Sequence, residues 1–116
     1  MRPISKKNRE AIDHDPYYKK CARAMDGGCS GRITIEHTII YGGRQLDELW
    51  SLIPLCEYHH SVNTFQDSGD LNKEKNIWIA LNRANFRQLD AISKAVNYSL
   101  LKIRLNKKYG DTQNSS

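Results

Sequence analysis

Two runs of sequence decide how this chain folds: Arg32-Ile33-Thr34-Ile35-Glu36-His37 and Trp50-Ser51-Leu52-Ile53-Pro54-Leu55-Cys56-Glu57-Tyr58-His59-His60. In the first, residues 32–36 are short and β-branched, with Ile33 and Ile35 on one face, as a strand requires. In the second, Leu52-Ile53-Pro54-Leu55 offers a partner strand, and Pro54 demands an edge position or an irregular ladder. From Cys56 the pattern suits a short helix through about Asn63. The loop between the strands carries Gly42-Gly43.

Working outward, residues 17–64 hold all three cysteines and three of the four histidines. Cys56 and His59 are three apart at a helix start and therefore share a face. Cys21 and Cys29 flank a loop containing Gly27 and Gly28, which can fold both thiolates toward one point. Zinc prefers four tetrahedral nitrogen or sulfur donors, and structural sites take all four from protein. Cys21, Cys29, Cys56 and His59 are accordingly the candidate zinc ligands. The plain alternative is three small buried cysteines and a surface histidine. An odd cysteine count cannot close a disulfide framework, and in a reducing compartment such clusters more often hold metal. A hydrophobic share of 39% with two Trp and two Phe makes a thin core, which favours a staple.

Neighbouring helical residues point about 100° apart. If His59 faces the zinc, His60 is free to face something else near the strand end. Glu36 and His37 alternate sides in an extended chain. Phosphodiester hydrolysis needs an activated water and charge relief at the phosphate. The residues therefore suggest His37 as general base, with Glu36 and His60 holding a second, catalytic cation. The plain alternative makes Glu36 a surface carboxylate and His37 a turn residue.

Together, Ile35-Glu36-His37, Gly42-Gly43 and the run from Trp50 to His60 resemble the HNH (ββα-metal) endonucleases, especially small phage and prophage types. The resemblance is strong from Cys21 to about Asn63 and weaker over Leu71–Ala84. It implies an α+β fold, a zinc-stapled ββα-metal core followed by two or three C-terminal helices. It implies that Glu36 and His60 bind Mg²⁺ or Mn²⁺, that His37 is the base, and that Ser51 takes the place of the motif's loop-orienting Asn. The zinc knuckle would be Cys21, Cys29, Cys56 and His59, and the products would carry a 5′-phosphate. Two departures stand out: Glu36 where Asp is commoner, and Ser51 for Asn. Asn63, one turn beyond His60, is a candidate third ligand.

The remaining chain is read more coarsely. Residues 1–16 look like a basic arm ending at Asp15-Pro16. Residues 17–110 form a single domain, with the core at 21–64 and a helical extension at 72–110, and 111–116 is a disordered tail. Polar residues 65–71 read as a loop, with Asn72 as N-cap of the next helix. Ile77, Leu81 and Ala84 share a helical face, with Trp78 more suited to the core than to base stacking. Phe86, Leu89, Ile92 and Val96 continue an apolar stripe. Leu100, Leu101, Ile103 and Leu105 follow, and Tyr109-Gly110 is a helix stop. His14 is a surface residue.

The net charge of +5 suits an anionic polymer. Lys19, Lys20, Arg32 and Arg44 are the candidate DNA-phosphate contacts. The basic stretch from Met1 to Arg9 leads into no apolar run, so neither a signal peptide nor a membrane span is expected, and a cytoplasmic place follows, in a bacterial host by resemblance. The expected function is metal-dependent DNA endonuclease. The alternatives are a non-catalytic zinc module that binds nucleic acid and a zinc-stapled protein-interaction adaptor.

Overall fold

The computed structural model describes residues 4–41, 44–62 and 66–110, and of these the side chains of 41, 44 and 66–71 lie outside the description. The loop pair Gly42-Gly43, Asn63, the tail 111–116 and the first three residues of the expected arm also lie outside it.

The chain is α+β. Helix α1 spans Lys6–His14, strand β1 spans Ile33–His37, and two short strands, β2 (Ile40–Tyr41) and β3 (Arg44–Gln45), pair as a small hairpin. Strand β4 (Leu52–Cys56) returns antiparallel to β1, with Ile33 opposite Cys56 and His37 opposite Leu52. Four helices follow: α2 (Glu57–Ser61), α3 (Gln66–Arg83), α4 (Phe86–Ile92) and α5 (Tyr98–Leu105), the last running into a π turn at Asn106–Gly110. Among the described residues no helix is long and apolar enough to cross a membrane.

All five residues of β4 are buried. Side chains alternate along a strand, so β4 serves two clusters. Ile53 and Leu55 join Trp78, Leu81, Leu89 and Leu105 from the helices. Leu52 joins Ile12 and Tyr18, with Ile35 packed against them. Trp78 is thus core, as its helical position suggested. Pro54 occupies a two-stranded sheet, where every strand is an edge. Its carbonyl accepts the Ala22 N–H at 2.8 Å, which ties the Cys21 segment to the sheet.

Three local readings are corrected. Residues 6–14, within the expected arm, are helical: Ser5 caps the Asn8 amide, and Asn8 and Ile12 are buried. The side-chain amide of Asn8 bonds both the carbonyl and the carboxylate of Asp47, a partner too distant in sequence to anticipate. Asn72 is not an N-cap, because α3 begins at Gln66. A glycine inside a helix costs only about 1 kcal/mol, so Gly69 does not stop it. Asn72 instead uses its carbonyl to accept Arg23 Nη1 at 3.4 Å. The stripe from Phe86 to Val96 is not continuous. α4 ends with Ser93 as its C-cap, Val96 is exposed between helices, and Asn97 caps α5.

Candidate functional site

The segment after α1 turns at Asp15, whose side chain accepts the Tyr17 amide, and Pro16 opens a short 3-10 turn. This delivers Cys21 to the base of α2. The loop back to Cys29 and on to β1 uses left-handed glycines: Gly27, Gly28 and Gly31 have φ of 74°, 80° and 83°. Cys56 ends β4 and caps α2, and His59 follows on that helix.

These four residues converge. Their donor atoms all lie within 4.8 Å of one another. His59 Nδ1 stands 3.3 Å from Cys21 Sγ, 3.5 Å from Cys29 Sγ and 3.2 Å from Cys56 Sγ. One nitrogen carries at most one proton and cannot serve three sulfurs by hydrogen bonding. In a tetrahedral zinc site the sulfur–nitrogen edge is about 3.6 Å, close to what is seen. Backbone amides also aim at the sulfurs: Arg23 N–H at Cys21 (3.4 Å) and His59 N–H at Cys56 (3.5 Å).

The thiol chemistry agrees. Burial opposes charge on Cys56, but the amides of His59 and Ser30 outweigh it and bring its pKa down to about 6. Cys29 is pushed the other way, to about 11, by desolvation and by competition with Cys56 and Cys21. A cation at this point would draw the thiols into their ionised, ligating form. The Cys21/Cys29/Cys56/His59 group can therefore hold a structural metal such as zinc.

His60, one residue on, faces elsewhere. Its Nε2 is 3.9 Å from Glu36 Oε1, and its Nδ1 is 2.6 Å from Thr34 Oγ1. Thr34 and Glu36 share a face of β1 because they are two apart. Two donors on one octahedral cation, each about 2.1 Å from it, stand about 3 Å apart when adjacent and about 4.2 Å when opposite. The Glu36–His60 separation is nearer the wider of these and is too long for a direct hydrogen bond. Burial raises the Glu36 carboxyl above its ordinary range, against the pull of His60, Lys73 and the His37 amide.

Glu36 and His37 also line a cleft of about 320 Å³ together with Thr38, Ile40, Lys73, Asn76 and Ile77. Burial lowers the His37 imidazole below its ordinary value, only partly countered by Asp47. His37 is therefore neutral at neutral pH and able to accept a proton. Glu36 belongs to both arrangements, reaching His60 and lining the cleft.

Ser51 is fully buried and plays no part in the cleft wall. Its hydroxyl turns to the carbonyls of Glu48 (2.7 Å) and Leu46 (3.0 Å). Its own carbonyl accepts the Thr38 amide (3.2 Å) and hydroxyl (2.7 Å). The Ser51 backbone carbonyl thereby holds Thr38, the residue after His37.

The candidate phosphate contacts are dispersed. Arg32 is 92% exposed and reaches Glu57 at 3.4 Å. Lys19 and Lys20 are exposed on the segment before Cys21. The side chain of Arg44 and all of Asn63 lie outside the described residues. His14 is exposed, its Nδ1 against the Glu10 carbonyl.

Three residues were not singled out by sequence. Thr34 is discoverable from period two, being on the Glu36 face. Lys73 has no local signal, since only the packing of α3 brings it to the cleft. Arg83 gave none either, yet its Nη1 donates to Tyr18 Oη (2.6 Å) and to the Leu52 (2.7 Å) and Leu49 (3.2 Å) carbonyls.

Comparison with protein-family models, curated proteins and solved structures finds no match to this chain.

Proposed function

We propose that the chain is a metal-dependent DNA endonuclease of the HNH type, its β1–β4–α2 unit acting as a ββα-metal core. The observation that carries this is the 3.9 Å approach of Glu36 Oε1 to His60 Nε2, with His37 next in sequence lining a cleft. A carboxylate, an imidazole and a neutral second imidazole at one strand end are the parts that hydrolysis of a phosphodiester asks for.

Glu36 and His60 hold Mg²⁺ or Mn²⁺, and Asn63 is the candidate for a third protein ligand. The cation, when bound, supplies charge relief at the phosphate and at the leaving oxygen. His37 accepts the proton of the attacking water. Ser51 keeps the segment after His37 in place. Lys73 adds positive charge across the cleft, where a phosphate enters. Arg32, Lys19, Lys20 and Arg44 contact the backbone beyond it, a sequence-independent role. By the family resemblance the cut leaves a 5′-phosphate. Zinc on the Cys₃His group is structural, since all four positions are filled by protein.

A plasmid-nicking assay tests this. The zinc-loaded wild type relaxes supercoiled DNA when Mg²⁺ or Mn²⁺ is added and not when both are omitted. His37→Ala loses about 10²- to 10⁴-fold in rate while its thermal transition is kept. Equal cleavage by both proteins removes His37 as base. DNA binding without cleavage by the wild type, under any divalent ion, returns the chain to the non-catalytic zinc module.

A further inference from the structure

The Thr34 hydroxyl has one proton and two neighbours. It is 2.9 Å from the Leu55 carbonyl oxygen and 2.6 Å from His60 Nδ1. A carbonyl only accepts, so the hydroxyl proton goes to Leu55. The contact with His60 then requires that Nδ1 carry the hydrogen and donate it to the Thr34 oxygen. A neutral imidazole protonated at Nδ1 has its lone pair on Nε2, the atom 3.9 Å from Glu36 Oε1.

We propose that Thr34 is the positioning residue that fixes His60 as the Nδ1–H tautomer and presents its Nε2 lone pair, beside Glu36, to the divalent cation. The cation is that of the nuclease reading and rests on it; the tautomer rests on hydrogen bonding alone. The opposite tautomer turns an N–H toward the Glu36 carboxylate and leaves no lone pair on that side of the ring for a cation. The acceptor that decides between them belongs to Leu55, the residue before the zinc ligand Cys56. The strand that anchors the knuckle thus sets the chemistry of the neighbouring histidine.

The test uses the full zinc-loaded chain without added Mg²⁺ or Mn²⁺. Long-range ¹⁵N NMR reads the tautomer of His60, assigned by loss of its signals in His60→Gln, at a pH where the imidazole is neutral. The wild type shows hydrogen on Nδ1, Thr34→Ser keeps it, and Thr34→Val shifts the population toward Nε2–H. Mn²⁺ titration then shows affinity lowered about tenfold in Thr34→Val and restored in Thr34→Ser, a size ordinary for a residue that orients a ligand.

A wild type protonated at Nε2 overturns the proposal. So does a Thr34→Val protein with unchanged tautomer and Mn²⁺ affinity. If Thr34→Val fails to fold, the wild-type and Thr34→Ser tautomers still decide it. A wild type with Nδ1–H that takes no Mn²⁺ overturns the presentation to a cation, and with it the nuclease reading. Mn²⁺ binding that responds to Thr34 without any DNA cleavage sinks the nuclease reading alone.

Discussion

At the scale of single residues, the knuckle depends on close approach. Gly31 has φ of 83°, and a Cβ built there meets Glu57 Cβ at 2.6 Å. Both the left-handed backbone and the contact penalise any side chain. Gly31→Ala should therefore cost about 1–3 kcal/mol, seen as a lowered urea midpoint with an unchanged slope. Gly27 also has a left-handed φ, but a Cβ there meets nothing within 4 Å. Gly27→Ala should cost less than Gly31→Ala by the steric share. Equal losses at the two positions would mean that the Glu57 contact carries no weight.

At the scale of elements, the knuckle loop is moored to α3 by Asp26. Its carboxylate takes Arg23 Nε at 2.8 Å and Lys75 Nζ at 2.6 Å. Desolvation raises the Asp26 pKa, but Lys75 and Arg23 outweigh it and leave it below the ordinary 3.8. A depressed folded pKa gives stability that is fully present above 3.8 and is lost as pH falls through the folded value. Asp26→Asn should cost roughly 1 kcal/mol at neutral pH, with the gap to wild type closing as pH drops below the ordinary carboxylate range. Taking the difference between the two proteins cancels the protonation of the cysteines, which both share. A gap independent of pH would assign the loss to packing instead.

The same scale shows what a sequence can disclose. β1, β4 and the start of α2 are legible because each carries its own local pattern: alternation, a proline at an edge, and a Cys–His pair three apart. α1 is not legible, since its burial rests on Ile12 and on Asn8, and Asn8 is satisfied only by Asp47. The first turns of α3 are likewise hidden, because the apolar period begins only near Ile77. Of the candidate site, the four candidate metal ligands and the approach of Glu36 to His60 follow from spacing and helix geometry. Lys73 and Arg83 depend on how α3 docks, which no short-range pattern contains.

At the scale of the whole molecule, three separate stretches meet at the cysteine–histidine cluster: the Cys21 segment, the Cys29 loop, and the β4–α2 corner. The apolar side chains form one larger cluster and one small one, divided by β4. Folding free energies of domains this size are about 5–15 kcal/mol. Zinc binding to small structural sites is worth about 10–16 kcal/mol near neutral pH. Metal binding to this group would therefore be comparable to the entire stability. Arg83 provides a second tie, joining α3 to β4 and the Tyr17–Tyr18 turn, with its guanidinium 4.1 Å from the Tyr17 ring centroid. That tie does not itself use a cysteine, and it joins α3 to the start of β4 rather than holding the β4–α2 corner. Chelation should accordingly abolish the cooperative thermal transition of the β1–β4–α2 unit while far-UV dichroism retains part of its helical signal. Cys56→Ser should reproduce this without chelator, because it removes a thiolate ligand while its hydroxyl still caps α2. Atomic absorption should find one zinc per wild-type chain and none in the variant. An apoprotein that melts at the holoprotein's temperature would show that the clusters suffice by themselves and that zinc is dispensable to the fold.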